Sequence, residues 1–176
     1  MSGADRPGRF ISIEGGEGTG KSTQIALIAE YLQDHGLVVH TTREPGGTKG
    51  AEAIRALLLG GEGERWGSRS EALLFAAARS DHVERLIRPA MKAGEWVVSD
   101  RFIDSSRAYQ GFASGLGDDI VMMLHRIGSE GLLPDLTLLL DLPQQEAEQR
   151  ARARDGGTAD RIGARNADYH RAVAEA

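Results

Sequence analysis

The chain has 176 residues, 40% of them hydrophobic and 27% charged, the make-up of one ordinary globular domain with a single core. A net charge of −5 argues against a broad nucleic-acid-binding face, and the absence of cysteine excludes disulfides and cysteine-held metal. The lack of cysteine suits a reducing cytoplasm, the setting expected here; no apolar run approaches a membrane span, and the polar start lacks the apolar core of a signal peptide.

Phe10–Glu14 is an apolar, β-prone run and predicts the first strand. Gly15-Gly16-Glu17-Gly18-Thr19-Gly20-Lys21-Ser22 follows and fits G-x-x-x-x-G-K-[ST] at every fixed position. Helical spacing runs from Lys21 to His35, with Gly36 suited to the position after the helix. Leu37–Thr42 predicts strand two, and Arg43-Glu44-Pro45-Gly46-Gly47-Thr48 a loop. Ala51–Leu59 is helical, with Ile54, Leu57 and Leu58 on one face. Gly60–Glu64 breaks the pattern.

Ser70–Ala93 predicts a long helix bent at Pro89, its apolar side formed by Leu73, Leu74, Ala77, Ala78, Val83, Leu86 and Ile87. Glu95–Ser99 is strand three, with Asp100 at its carboxyl end. Ser105–Phe112 and Asp119–Ser129 are helical, Leu136–Asp141 is strand four, Gln144–Ala153 is an arginine-rich helix, and Asn166–Ala176 is the last helix. Strands alternating with helices predict an α/β fold, a parallel sheet with helices on both faces and ligands at the carboxyl ends of the strands. No internal repeat or second domain is visible.

The glycine-rich segment has the strand–turn–helix context that a triphosphate site needs. Its backbone N–H groups turn inward around phosphate oxygens, and the helix N-terminus adds partial positive charge. Lys21 is placed to reach the β- and γ-phosphates, and the Ser22 hydroxyl to ligate Mg²⁺. Gly15 to Ser22, together with Thr23, are the expected ATP contacts. Asp100, ending an apolar strand, has the place of a carboxylate that holds Mg²⁺, or of a strand-end Asp in a turn. Arg101 is either a bidentate phosphate ligand or half of a surface salt bridge.

Arg150, Arg152, Arg154, Arg161 and Arg165 crowd one segment with a glycine loop inside it. They form a solvated basic helix end or a lid that closes over the triphosphate. The lid is favoured because Gly16 to Thr19 hold no base. Phe75 and Arg79, four apart, share a helix face. They suit stacking on a base and reading its edge, or core packing and solvent. The five histidines show no metal-ligand spacing, and the remaining carboxylates read as surface charges.

In combination these segments resemble the bacterial thymidylate kinase (dTMP kinase) family. The resemblance rests on Ile13–Ser22, Thr42–Thr48, Leu74-Phe75-Ala76-Ala77-Ala78-Arg79, Asp100-Arg101-Phe102-Ile103-Asp104-Ser105-Ser106-Arg107-Ala108-Tyr109-Gln110-Gly111 and Pro134–Thr137. It implies a three-layer P-loop kinase fold, ATP and Mg²⁺ as cofactors, dTMP as acceptor, and a homodimer. It implies that Glu17 contacts the sugar and that Arg101 holds the acceptor phosphate, joined by Arg55, with Arg43 holding either nearby phosphate or the structure of its loop. Pro45 would border the thymine methyl group, Phe75 stack on the base, and Arg79 bond its exocyclic oxygen. Ser106 and Gln110 would serve the base edge, and Tyr109 would crowd C2′. Arg150, Arg152 and Arg154 resemble the lid arginines of family members without a P-loop arginine. The family continues into a fifth strand and a closing helix, whereas this sequence stops at Ala176, so four strands are expected. The rival readings are a P-loop kinase for another nucleotide or a deoxynucleoside, and a nucleotide-dependent switch. No N-K-x-D guanine-reading motif is present.

Overall fold

The computed structural model describes residues 7–61, 65–155 and 160–176, with backbone alone at 144, 148, 151, 152, 154 and 155. Its four strands are β1 (Phe10–Gly15), β2 (Val39–Arg43), β3 (Trp96–Asp100) and β4 (Leu136–Leu140). They form one parallel sheet in the order β2-β3-β1-β4. The register pairs Arg43 with Asp100, Ile13 with Asp100 and Gly15 with Leu140, so the motif-bearing strand ends share one edge of the sheet.

Alternation along β1 divides the core. Ile11 and Ile13 pack with Val98 against Ile25 and Leu32 of α1 (Lys21–Asp34) on one face. Phe10 packs on the other with Val97, Phe102, Ile103, Val83, Ile87 and Val121. Phe10 and Phe102 meet edge to face at 4.7 Å, a contact of about 1 kcal/mol beyond area burial. The same alternation turns Ser12 and Glu14 toward the Phe102 side, where the acid is only 4% exposed.

Gly20 opens α1 at φ 92°, a left-handed conformation that costs a glycine nothing, and this turn aims the first free N–H groups of the helix at the loop. Thr48 caps α2 (Lys49–Leu59), accepting from Ala51 N at 3.2 Å and donating to the Asp81 carboxylate. The second strand lies two residues later at its start than its apolar run suggests, because Leu37 packs as a loop residue on the core.

The long helix is interrupted. α3 (Ser68–His82) passes into a π-helical turn, Val83–Ile87, and then α4 (Arg88–Lys92). Pro89 lacks the N–H that Arg85 O would receive, and the widened turn just before it absorbs the mismatch in place of a sharp bend at the proline. The change of register also corrects the predicted apolar side. Leu73 is 56% exposed and Ala77 exposed, while Ala72, Ala78, Val83 and Ile87 are buried. A short helix, α5 (Ile103–Ser106), runs into a second π-helical turn, Arg107–Ala113, which replaces most of the α-helix expected there. Then come α6 (Asp118–Ser129), α7 (Gln144–Asp155) and α8 (Ala167–Glu175), the last capped by Asn166. No helix among the described residues is long and apolar enough to cross a membrane.

Candidate functional site

A cavity of about 240 Å³ opens at the carboxyl edge of the sheet. Glu17 and Lys21 come to it from the loop after β1, Arg43 and Pro45 from the end of β2, and Arg55 from α2. Phe75 and Arg79 come from α3, and Asp100, Arg101, Ser106, Tyr109 and Gln110 from the segment after β3. Every acceptor-side residue named from the sequence therefore lines one space. Gly15, Gly16, Gly18, Thr19, Gly20, Ser22 and Thr23 lie on the phosphate loop beside it, with Ser22 and Thr23 exposed.

The cations are not free point charges. Lys21 Nζ donates to Gly15 O at 3.1 Å and Gly16 O at 2.7 Å. Burial, reinforced by the nearby Arg101 charge, lowers its pKa to about 8 against the pull of Asp100, Glu17 and Glu14. Arg101 sits at φ 71°, left-handed backbone that a residue with a Cβ rarely adopts. Its Nη1 donates to Ser105 Oγ at 3.0 Å and its guanidinium lies 5.3 Å over the Tyr109 ring. Burial opposes its charge, but Tyr109, Glu14, Asp100 and Glu17 outweigh it, so its pKa stands above the ordinary value. Burial and the Arg43 charge lower the pKa of Arg55, whose Nη1 donates to Pro45 O at 2.6 Å.

What holds Arg101 in that conformation is Glu14. Its carboxylate accepts from Phe102 N at 2.7 Å, Ser105 Oγ at 2.6 Å and Ser12 Oγ at 2.8 Å, tying the chain just after the turn to β1. Burial raises the pKa of Glu14, and these hydrogen bonds partly counter it. Arg79 is likewise locked, at 3% exposure. Nε donates to Glu44 at 2.7 Å, and Nη2 to Ser106 Oγ at 2.7 Å and Phe102 O at 3.2 Å. The other Glu44 oxygen faces His82 Nδ1 at 2.9 Å, and His82 Nε2 meets Thr42 Oγ1 at 2.8 Å.

Glu14, Glu44 and Glu71 are all buried, which corrects the reading of the remaining carboxylates as surface charges. Each had a sequence signal. Glu14 and Ser12 are the polar positions of an otherwise apolar strand, Glu44 adjoins Pro45, and Glu71 precedes Phe75 and Arg79 at helical spacing on one face. Ser105, Asp160 and Ile162 also line the cavity and carried no comparable signal.

The arginine-rich segment divides. Arg150 is exposed and donates to Glu146 at 2.6 Å, away from the cavity. The side chains of Arg152 and Arg154 lie outside the described residues, as does the loop 156–159. Arg161 and Arg165 do not serve as lid charges in this structure; both converge on the buried Glu71, at 2.7 and 2.6 Å.

Asp100 Oδ1 is buried and has no hydrogen-bond partner among the described residues. An acceptor left orphaned at the cavity edge fits a cation such as Mg²⁺ as its partner. Among the described residues no cluster of three metal-ligating side chains occurs, so such an ion would take most of its ligands from phosphate and water.

The family model described as thymidylate kinase matches residues 13–176. The chain belongs to the thymidylate kinase family. A thymidylate kinase of Rhizorhabdus wittichii is 59% identical over 169 residues, spanning 96% of this chain and 81% of the relative. One from Bradyrhizobium sp. strain ORS 278 is 48% identical over 170 residues, spanning 96% and 75%. The crystal structure of thymidylate kinase from Ehrlichia chaffeensis superposes with a TM-score of 0.72 at 39% identity, covering 84% of each chain. The activity is that of a dTMP kinase, and the nucleotide the family uses is ATP.

Proposed function

We propose the following division of labour in the reaction ATP plus dTMP giving ADP plus dTDP. The loop Gly15–Ser22 cradles the ATP phosphates, and Lys21 leaves the carbonyls of Gly15 and Gly16 for the β- and γ-phosphates. The acceptor lies in the cavity with its base on Phe75, Arg79 and Ser106 at the base edge with Gln110, Pro45 beside the methyl group, and Tyr109 against C2′ of the sugar. Glu17 bonds the sugar. Arg101, with Arg55 and Arg43, binds the phosphate. The observation that carries this reading is that one cavity is lined both by Lys21, Asp100 and Arg101 and by Phe75, Arg79 and Gln110.

The attacking atom is a phosphate oxygen, already anionic at neutral pH, so no strong general base is required. Positioning and charge neutralisation by Lys21 and Arg101 carry the step, with Arg150, Arg152 and Arg154 as the further cations. Asp100 and the Ser22 hydroxyl would hold Mg²⁺, which when bound neutralises charge on the transferring phosphoryl group.

The working unit in this reading is a cytoplasmic homodimer. Leu57, Leu73, Met123 and Ile127 are 41%, 56%, 51% and 76% exposed on α2, α3 and α6, which supports an apolar contact there. Light scattering after size exclusion should give twice the chain mass. The acceptor assignment is tested by ADP formation from ATP across a panel of nucleosides and monophosphates: dTMP should stimulate most, and a better response to any other acceptor would overturn it.

A further inference from the structure

Glu71 stands on α3 one turn before Phe75, at 1% exposure. Its Oε2 receives Arg161 Nη2 at 2.7 Å and Arg165 Nη2 at 2.6 Å. Arg161 is itself tied to Leu58 O through Nε at 2.8 Å. The carboxylate is thus held through Oε2 by two guanidinium groups. Its Oε1 receives Gln110 Nε2 at 3.1 Å.

A glutamine amide has two ends of nearly equal shape and opposite polarity, and its partner decides which way it lies. An ionised carboxylate only accepts hydrogen bonds, so it draws the NH₂ end of Gln110 toward itself. Gln110 lines the cavity, and its Oε1 accepts from no described residue. The end left for the cavity is therefore an acceptor. Arg79, which can only donate, lines the same cavity. One donor and one acceptor in the same cavity match a pyrimidine that presents a carbonyl and an N3–H. They mismatch one that presents an amino group and a bare N3.

We propose that Glu71 is a positioning residue that fixes the polarity of the Gln110 amide, and thereby makes the pocket accept thymine and refuse 5-methylcytosine, which has the same shape. This rests on the reading above that the base of the acceptor lies against Gln110. In the refused case two acceptors face each other in a desolvated pocket, the situation in which a site built around a hydrogen bond discriminates strongly.

The test is kcat and KM for dTMP and for 5-methyl-dCMP, with ATP saturating, in the unaltered protein and four variants. In Glu71→Gln the new amide can donate to Gln110 Oε1 and so stabilise the inverted orientation. The ratio of kcat/KM values should fall by about tenfold or more, chiefly through KM for dTMP, with kcat nearly kept. Arg165→Gln removes a partner of Glu71 and leaves the Glu71–Gln110 bond, so it should lower the thermal midpoint without moving the ratio. Parallel losses for both acceptors in Glu71→Gln, or an equal shift of the ratio in Arg165→Gln, would mean that Glu71 only holds the fold together, and would overturn the proposal. Should Glu71→Gln not accumulate as folded protein, Glu71→Asp keeps the charge but withdraws it from the amide. It carries the same expectation, and an unchanged ratio there is equally fatal. Gln110→Ala separates the two readings: if it leaves the ratio unchanged, the placement of the base against Gln110 is what fails.

Discussion

Lys21 Nζ donates to the carbonyl oxygens of Gly15 and Gly16, so the ammonium proposed to bind phosphate is held by the loop that carries it. In the proposed binding mode ATP has to displace those carbonyls, and it has to find Lys21 charged. Burial lowers its pKa to about 8 in the free protein. The apparent kcat/KM for ATP should therefore fall as pH rises through about 8, while kcat at saturating ATP, where the phosphates restore the charge, stays level. Stability should move the opposite way. The folded-state value lies below the unfolded one near 10.4, so the unfolded chain binds more protons across that interval and stability rises from pH 8 to about 10.4. Paired pH–rate and urea-melting profiles check both signs; a fall of both together would contradict this placement of the lysine.

Arg101 offers a way to separate function from folding. At φ 71° an alanine keeps the backbone strain and a glycine releases it. Both Arg101→Ala and Arg101→Gly should lower kcat by about a hundredfold or more. The glycine variant should nevertheless be more stable than the alanine variant by about 1 kcal/mol in urea titrations. Equal stabilities would show that the turn held by Glu14 is unstrained.

The Glu44–Arg79–His82 group predicts a large and shared loss. Glu44→Gln leaves the guanidinium of Arg79 buried beside a neutral partner, at a cost of about 3–5 kcal/mol. In Gly47→Ala the added Cβ, at φ 88°, meets Thr42 Oγ1 at 2.3 Å and His82 Nε2 at 2.6 Å, which prises apart the far end of the same network. That change should cost about 1–3 kcal/mol. Because the two share partners, the double variant should lose less than the sum. Strict additivity in chemical denaturation would argue against one connected network.

The orphaned Asp100 Oδ1 predicts metal dependence. Chelation should abolish dTDP formation. Asp100→Asn should lower kcat by about a hundredfold and raise the Mg²⁺ concentration for half-maximal rate, with KM for dTMP changed only a few-fold. Full activity in chelator would remove the role given to Asp100 and Ser22.

Much of this was legible in the sequence because the signals are local. The strand, the glycine turn and the lysine are contiguous, and Asp100-Arg101 ends an apolar run, so their place at the sheet edge follows from chain order. Phe75 and Arg79 are one helical turn apart. What stayed hidden is what depends on partners distant along the chain. Glu14 meets Ser105 and Phe102 across 91 and 88 residues, and Glu71 meets Arg165 across 94. A glutamate on a helix looks solvated until the arginines that cover it are known. The same reason explains Arg161 and Arg165, whose charge suggests phosphate and whose positions serve a carboxylate. The π-helical turns were invisible because residue spacing distinguishes them from α-helix only after the neighbours are placed.

The second of those turns, Arg107–Ala113, has a consequence for how such chains can diverge. A turn closed i to i+5 holds one residue more than an α-helical turn, and Tyr109 and Gln110 both reach the cavity from it. Loss of any one residue there would let the segment close as α-helix with the flanking elements in register, and the residues inside it would change the face they present. Length here is thus as much a part of the cavity as side-chain identity: a single-codon deletion would displace Tyr109 and Gln110 from it even with both residues retained.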